Sequence, residues 1–368
     1  MSELRHFIAA ETATPPFFVG IDLGGTNIKL GVVDDLGRTV AYDTEPTRVE
    51  LGGEDASRRM AAAVARVVAQ AGLPLSAVGK ICLASPGTMD IPAGKLVVPA
   101  NLKGWEHFPL RDRVSHYCGQ PVVFANDATA AAYGEFWIGS GRDFHSMVLL
   151  TLGTGIGCGI IIGDLLLDGE HSHGGEYGHS IIDCADDARV CGCGRRGHLE
   201  AYASATAVTK RTEELLAAGH PSSLRRRLAT GEEFSPKLVA EEAEIGDELS
   251  KQIVLQTADY LAVGIVTLMH TIDPNGILVG GAMTFGGRET DVGRRFLARI
   301  QEQVWLRAYK VPADNTVIDF AILGGDAGYI GAAGIARLEY EREGKKAGTK
   351  GQRDKGTDGK QDCGTILV

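Results

Sequence analysis

Residues 171–200 read HSHGGEYGHSIIDCADDARVCGCGRRGHLE, a span with four histidines and three cysteines. Zinc takes four nitrogen or sulfur ligands in a tetrahedral array. Cys191 and Cys193 form the natural pair, with His198 just beyond and His179 upstream. Cys184, His171 and His173 are spare donors. The alternative is a glycine-rich loop whose cysteines stay reduced and bind nothing. Two other spellings of the stretch fall short. Gly192, Gly194 and Gly197 spell G-x-G-x-x-G, but no strand precedes them as a dinucleotide loop requires. His198 and Glu200 spell the H-x-E of a zinc deaminase, yet no P-C-x-x-C follows.

Two glycine turns could hold phosphate. In DLGGTN (22–27), the Gly24–Gly25 amides and the Thr26 hydroxyl could meet phosphate oxygens, and Asp22 could hold magnesium or its waters. LGTGIG (152–157) supplies a second set. No Gly-Lys pair is followed by Ser or Thr, which excludes a P-loop. A third feature is FANDATAAAYGE, which places Asn126 and Asp127 where a buried strand gives way to a helix. Phosphoryl transfer to an alcohol needs a carboxylate beside the attacking hydroxyl, and Asp127 could be that base. On local sequence alone, the usual role of Asn-Asp at such a junction is a helix N-cap.

These residues need strand ends to carry them. FFVGIDLGGTNIKLGVV reads as strand, glycine turn and strand, and SMVLLTLGTGIGCGIII repeats that plan. IDLGGT (21–26) lines up with LTLGTG (150–155), and GVVDDL with IIIGDL at the same offset, so a hairpin recurs once per half. The pattern implies a duplicated domain whose two loops face each other across a cleft. GEDASRRMAAAVARVVAQAG is helical and stops at Gly72; the run from Glu241 to Asp273 is helical and stops before Pro274. NGILVGGAM is a buried strand ending in Gly280–Gly281, and AILGGDAGYIGAAGIARLEYE runs from a strand end into a small-residue helix.

Composition narrows the function class. The chain has 368 residues, 44% of them apolar, with a mean hydropathy near zero, as in ordinary soluble globular proteins. A net charge of −10 argues against a nucleic-acid binder. No continuous apolar run reaches the ~18–20 residues of a membrane span, and the start is not a signal peptide. Seven scattered cysteines do not form a disulfide framework, so a reducing cytoplasm is expected.

Taken in order, DLGGT, SPG followed by NL-x-x-W, ND, GTGIGCGI, GGEYGH and CGCGRRGHLE resemble the ROK family (repressors, open reading frames and kinases) over residues 17–340. The resemblance implies an α/β, two-lobed ribonuclease H-like fold of the actin-like ATPase type, with a cleft between a smaller and a larger domain. It implies a small domain from 17–121 and 323–342 and a large one at 122–322; the polar, Pro-bounded residues 1–16 read as a disordered leader. The large domain carries the zinc loop 179–198, and residues 343–368 form a disordered tail. Asp127 matches the family's catalytic base. Asn101, Asn126 and the Ser85–Pro86–Gly87 loop match its sugar-side groups, and Glu176, His179 and Glu200 match groups at the anomeric end. Asp22, Gly24, Gly25 and Thr26 match the first phosphate motif; Gly153, Thr154, Gly155 and Gly157 match the second. Gly280–Gly281 matches the adenosine loop. A buried sugar hydroxyl left unpaired costs about 1–3 kcal/mol, so a pocket dense in amides and carboxylates suits such a ligand.

The activity implied is ATP- and magnesium-dependent phosphorylation of a hexose, glucose first. Fructose, N-acetylmannosamine and N-acetylglucosamine are the alternative acceptors, because the motifs are shared. A homo-oligomer, dimer or tetramer, with no nucleic-acid or membrane partner is expected. A sugar-responsive repressor is the rival, but only about 20 residues precede Asp22, too few for a helix-turn-helix domain. The family has a third cysteine where this chain has His198. Histidine is a competent zinc ligand, so the implied structural zinc site is His179, Cys191, Cys193 and His198.

Overall fold

Two five-stranded sheets share one strand plan. The computed structural model describes residues 7–353 apart from Ala100 and Asp164. In the first half, β1 (Phe17–Leu23), β2 (Asn27–Val33) and β3 (Thr39–Pro46) run antiparallel. After α1 (Gly52–Gln70), strand β4 (Val78–Ser85) lies parallel to β1. A small hairpin, β5 (Met89–Asp90) and β6 (Lys95–Leu96), precedes α2 (Leu110–Cys118) and β7 (Val122–Asn126). The sheet order is β3-β2-β1-β4-β7. Because β7 pairs with β4, the first sheet runs to Asn126, a few residues past the expected boundary at 121.

Helix α3 (Asp127–Trp137) crosses to the second half, where β8 (Ser146–Leu152), β9 (Ile156–Ile162) and β10 (Leu165–Leu166) repeat the antiparallel start. Helices α4 (Glu200–Ala203), α5 (Ala205–Ala217), α6 (Leu224–Ala229), α7 (Pro236–Glu244) and α8 (Glu248–Ile272) follow. Then come β11 (Gly276–Gly281), α9 (Asp291–Arg307), α10 (Lys310–Asn315), β12 (Val317–Phe320) and α11 (Ala327–Arg353). The second order, β10-β9-β8-β11-β12, has β8, β11 and β12 parallel. The repeat seen in the sequence is therefore a repeat of topology.

Between the sheets run α3 and α11, packed against Phe18, Cys82 and Ala84 of one sheet and Met147, Leu149 and Leu278 of the other. Their close crossing explains the small-residue run of α11. A Cβ at Gly331 would lie 1.6 Å from the Ala130 carbonyl oxygen, and one at Gly134 would lie 2.7 Å from that of Ala327. Helix α8 is, among the described residues, the one helix long and apolar enough to cross a membrane by length and composition, which qualifies the reading of the sequence. Its Leu249, Ile253, Leu261 and Ile265 lie in the second-half core, the position of a central core helix.

Both ends depart from expectation. Residues 7–16 are tied down: Ile8 N–H donates to Thr39 O, and Thr14 N–H to Asp34 Oδ2. Helix α11 continues through Arg353, past the expected start of the tail at 343. Residues 1–6 and 354–368 lie outside the described residues.

Candidate active site

The carboxyl end of β7 and the start of α3 place Asn126 and Asp127 side by side. Asn126 has extended backbone, φ −73° and ψ 146°, and its Oδ1 accepts from Ala128 N–H at 2.9 Å and Thr129 N–H at 3.2 Å. It is the N-cap. Asp127 Oδ1 accepts only from Ala128 N–H at 2.8 Å, and among the described residues its Oδ2 accepts no hydrogen bond. Burial, followed by the charge of Asp22, pushes the Asp127 carboxyl up to about 7. Burial also raises Asp22, against the opposing pull of Lys29.

Two cavities meet at Asp127. One, of about 430 Å³, is lined by Pro86, Gly87, Asn101, Asn126, Glu176, His179 and Glu200 together with Asp127. The other, of about 560 Å³, holds Asp22, Gly280 and Gly281 on its wall. Asp127, Ala128, Thr151 and Gly281 belong to both. Several expected residues sit elsewhere. Ser85 is fully buried and lines neither cavity, standing behind the Pro86–Gly87 turn. Gly24, Gly25 and Thr26 also line neither; their turn closes on itself through Gly24 N–H to Asn27 O and is pinned by the Thr47 hydroxyl donating to Gly24 O. Gly153, Thr154, Gly155 and Gly157 line the cavity with Glu176 and Glu200, away from Asp22.

The sequence reading missed Lys29, Thr151, Thr284 and the Gly324–Gly328 turn, all on the Asp22 side except Thr151, which is shared. Lys29 was findable: the β1–β2 register sets it opposite Asp22. Its Nζ donates to Gly325 O at 2.6 Å, where α11 begins. A smaller cavity of about 320 Å³ adjoins at Gly286, between α7 and the Ala282–Phe285 segment, with more apolar walls.

The cysteine loop closes the far side of the first cavity. Backbone bridges Ile181 to His198 and Val190 to Arg196 fold it back on itself, and Gly194 takes φ +85° at the tip. The donor atoms of His179, Cys191, Cys193 and His198 lie within 4.8 Å of one another. Cys191 Sγ is 3.7 Å from His179 Nδ1, and Cys193 Sγ is 3.3 Å from His198 Nδ1. Tetrahedral zinc spaces sulfur and nitrogen ligands about 3.6 Å apart, so the quartet fits that ion. Burial lowers the proton affinity of His198, with His179 adding to the effect, and favours the neutral imidazole a metal needs. Cys184, His171 and His173 are not part of the group.

The quartet touches the groups of the first cavity directly. His179 Nε2 faces Glu176 Oε2 at 3.7 Å while its Nδ1 faces Cys191. Glu200 Oε2 accepts from Ile156 N–H at 3.1 Å, and its Oε1 accepts from Cys191 Sγ at 3.4 Å. Fixing the cysteine loop therefore fixes Glu176, His179 and Glu200 as one wall.

The chain is similar to known proteins along most of its length. The chain is 32% identical over 313 residues to a glucokinase of Thermotoga maritima, covering 83% of this chain and 95% of that relative. It resembles the crystal structure of a ROK hexokinase from Thermus thermophilus, at TM-score 0.74 and 31% identity over 89% of this chain and 99% of that one. A ROK glucokinase from Streptomyces griseus, solved with glucose and AMPPNP, matches at TM-score 0.70 and 30% identity, with 87% and 99% covered. The family model for ROK matches residues 18–339, and the chain belongs to the ROK family.

Proposed function

We propose that the chain transfers the γ-phosphoryl group of ATP to the 6-hydroxyl of glucose. Asp127 at the junction of two cavities, with one oxygen uncommitted, is the observation that carries the reading. Glucose occupies the cavity of Asn101, Asn126, Glu176, His179 and Glu200, and the nucleotide lies on the Asp22 side with its base toward Gly280–Gly281. The glucokinase relatives and the neighbour solved with glucose and AMPPNP support both assignments.

Asp127 accepts the proton as the hydroxyl oxygen bonds to phosphorus and the bond to ADP breaks. Asn126 spends its Oδ1 on the helix, which leaves its amide hydrogens for a sugar oxygen. Lys29 and the glycine-turn amides supply positive charge to the phosphates. Magnesium, held through Asp22, would neutralise charge on the transferring group. Zinc at His179, Cys191, Cys193 and His198 would be structural, since four protein ligands leave no open position.

The two expected phosphate turns, Gly24–Thr26 and Gly153–Gly157, reach the nucleotide only when the lobes close, which also expels water from the reacting groups. We assign the two lobes as the small domain, through Asn126 with α11, and the large domain between them. A reducing cytoplasm suits the six described cysteines, which are all free thiols. A homo-oligomer would have an apolar face in Trp305, Leu306 and Tyr309, exposed by 63%, 60% and 72%. Light scattering measures that state.

The deciding experiment is an ADP-release assay with magnesium and ATP over glucose, fructose, mannose and the N-acetylhexosamines. Glucose is expected to give the highest kcat/KM. Silence with every sugar would overturn the kinase reading, and a preference for an N-acetylhexosamine would move the substrate assignment.

A further inference from the structure

Behind the glucose cavity lies another of about 320 Å³ that phosphoryl transfer does not use. Its walls come from both halves: Lys80 on β4, Arg111 on α2 and edge strand β7 on one side, edge strand β10 and Asp168 on the other, and Arg342 of α11 at the back. The size falls within the roughly 300–1,000 Å³ of small-molecule sites.

Three cations line this space, interleaved with Glu339 and Glu343 on the same side. Lys80 pairs with Glu343 and Arg111 with Asp112, carboxylates that are 64% and 59% exposed, and Arg342 pairs with Glu339. Lys80 is itself 11% exposed but its partner Glu343 faces solvent, so a doubly charged anion takes over Lys80 and Arg111 by releasing Glu343 and Asp112 to water. Across from them Asp168 is half-buried, and its carboxylate has no hydrogen-bond partner among the described residues. A carboxylate so placed accepts from hydroxyls. With Glu343 released to solvent, cations at one wall and an acceptor at the other match a phosphorylated polyol.

The cavity is wired to the glucose site. Asp168 and Thr129 wall both spaces. Asp168 opens the loop that carries Glu176, and Gly174 N–H closes that loop on Asp168 O at 2.7 Å. Arg111 Nη1 donates to Ile91 O at 3.3 Å, and Ile91 N–H donates to the Ser172 hydroxyl oxygen at 3.0 Å. Ser172 lies in the same loop, at φ +59°. Two hydrogen bonds thus join Arg111 in one half to the sugar loop of the other.

We propose that this rear cavity is an effector site for a hexose monophosphate, and that its occupation lowers turnover by drawing Arg111 off Ile91 and loosening the loop of Glu176. The choice of hexose monophosphate rests on the proposed kinase activity, whose product belongs to that class.

The test is calorimetric titration of glucose 6-phosphate into the full-length protein saturated with glucose, alongside initial rates. One binding event per chain should persist under saturating glucose, and inhibition should not be relieved by more glucose. Lys80→Met should weaken that binding about tenfold or more while rates without sugar phosphate stay close to wild type. Arg111→Met should weaken it as much. Inorganic phosphate alone should bind at least about tenfold more weakly, because it lacks hydroxyls for Asp168. Loss of all sugar-phosphate binding under saturating glucose, or wild-type affinity in Lys80→Met, would overturn the site. Phosphate binding as tightly as the sugar phosphate would overturn the ligand class. Rates without effector score the kinase reading separately, and the calorimetry needs no turnover.

Discussion

Asn126 and Asp127 divide the start of one helix between them: Asn126 caps the amides of Ala128 and Thr129, and Asp127 keeps Oδ2 for the cavity junction. The division predicts opposite outcomes for two conservative changes. Asp127→Asn should lower kcat by about 10³-fold while glucose binding by calorimetry is retained. Asn126→Ala should cost about 1 kcal/mol of stability through loss of the cap and also raise the KM for glucose. Equal kcat losses in both variants, with unchanged Tm, would contradict the split.

The raised proton affinity of Asp127 has a consequence for stability as well as rate. Its folded-state value of about 7 lies above the usual 3.8, so the folded chain binds more protons than the unfolded chain between those values. Stability from this group is present in acid and is lost as pH rises through 7. Asp127→Asn should therefore raise Tm at pH 8 and have little effect at pH 4. The same ionisation must be complete for base catalysis. The kcat/KM of wild type should fall about tenfold per pH unit below an apparent pKa near 7. A flat profile from pH 5 to 8 would remove Asp127 as the base.

Removing the metal should separate structure from chemistry. One zinc per chain is expected by native mass spectrometry, absent in Cys193→Ala and retained in His198→Cys. Chelation should raise the KM for glucose about tenfold, because zinc would fix the positions of His179, which faces Glu176, and of the Cys191 sulfur, which lies beside Glu200. Magnesium should restore none of that loss. Loss of kcat alone, at unchanged KM, would point to a metal in the reaction itself.

The crossing of α3 and α11 sets the angle between the halves. Gly331→Val puts a branched side chain where the Ala130 carbonyl already stands 1.6 Å from the Cβ position. The helices must separate, at a cost on the order of 3 kcal/mol. Gly331→Ala should be milder but still destabilising, measurable as a lower midpoint in urea denaturation.

What was legible in the sequence was local. The GGTN and GTGIG hairpins, the Asn126–Asp127 junction and the metal quartet each lie within one short stretch, where turn chemistry and ligand type speak for themselves. Only the resemblance gave Asn101, Glu176 and Glu200 their cavity. The misses depend on long-range geometry. The resemblance put Ser85 beside the sugar together with Pro86 and Gly87, yet strand β4 turns it into the core. Gly24–Thr26 looked like phosphate ligands because of their type, yet in this arrangement of the lobes they line neither cavity, and Gly24 N–H is given to Asn27 O. Gly324–Gly328 reaches the cavity only because α11 returns from the far end of the chain, a placement no window of sequence contains.

Lys29 tests whether such a long-range contact matters to the reaction. It stands opposite Asp22 in the hairpin register, shares a cavity with Asp22 and Asp127, and donates to Gly325 O at 2.6 Å. That carbonyl is a neutral partner, so no carboxylate has to leave the Lys29 hydrogen bond when an anion arrives. A preorganised cation beside the transferring group stabilises the charge that develops there, worth about 100-fold when removed. Lys29→Met should lower kcat/KM for ATP by about that factor while the KM for glucose stays near wild type. Lys29→Arg should recover part of the rate, since charge is kept and reach is changed. If Lys29→Met instead lowers Tm and leaves kcat/KM for ATP intact, the lysine serves only to pin α11 to the hairpin.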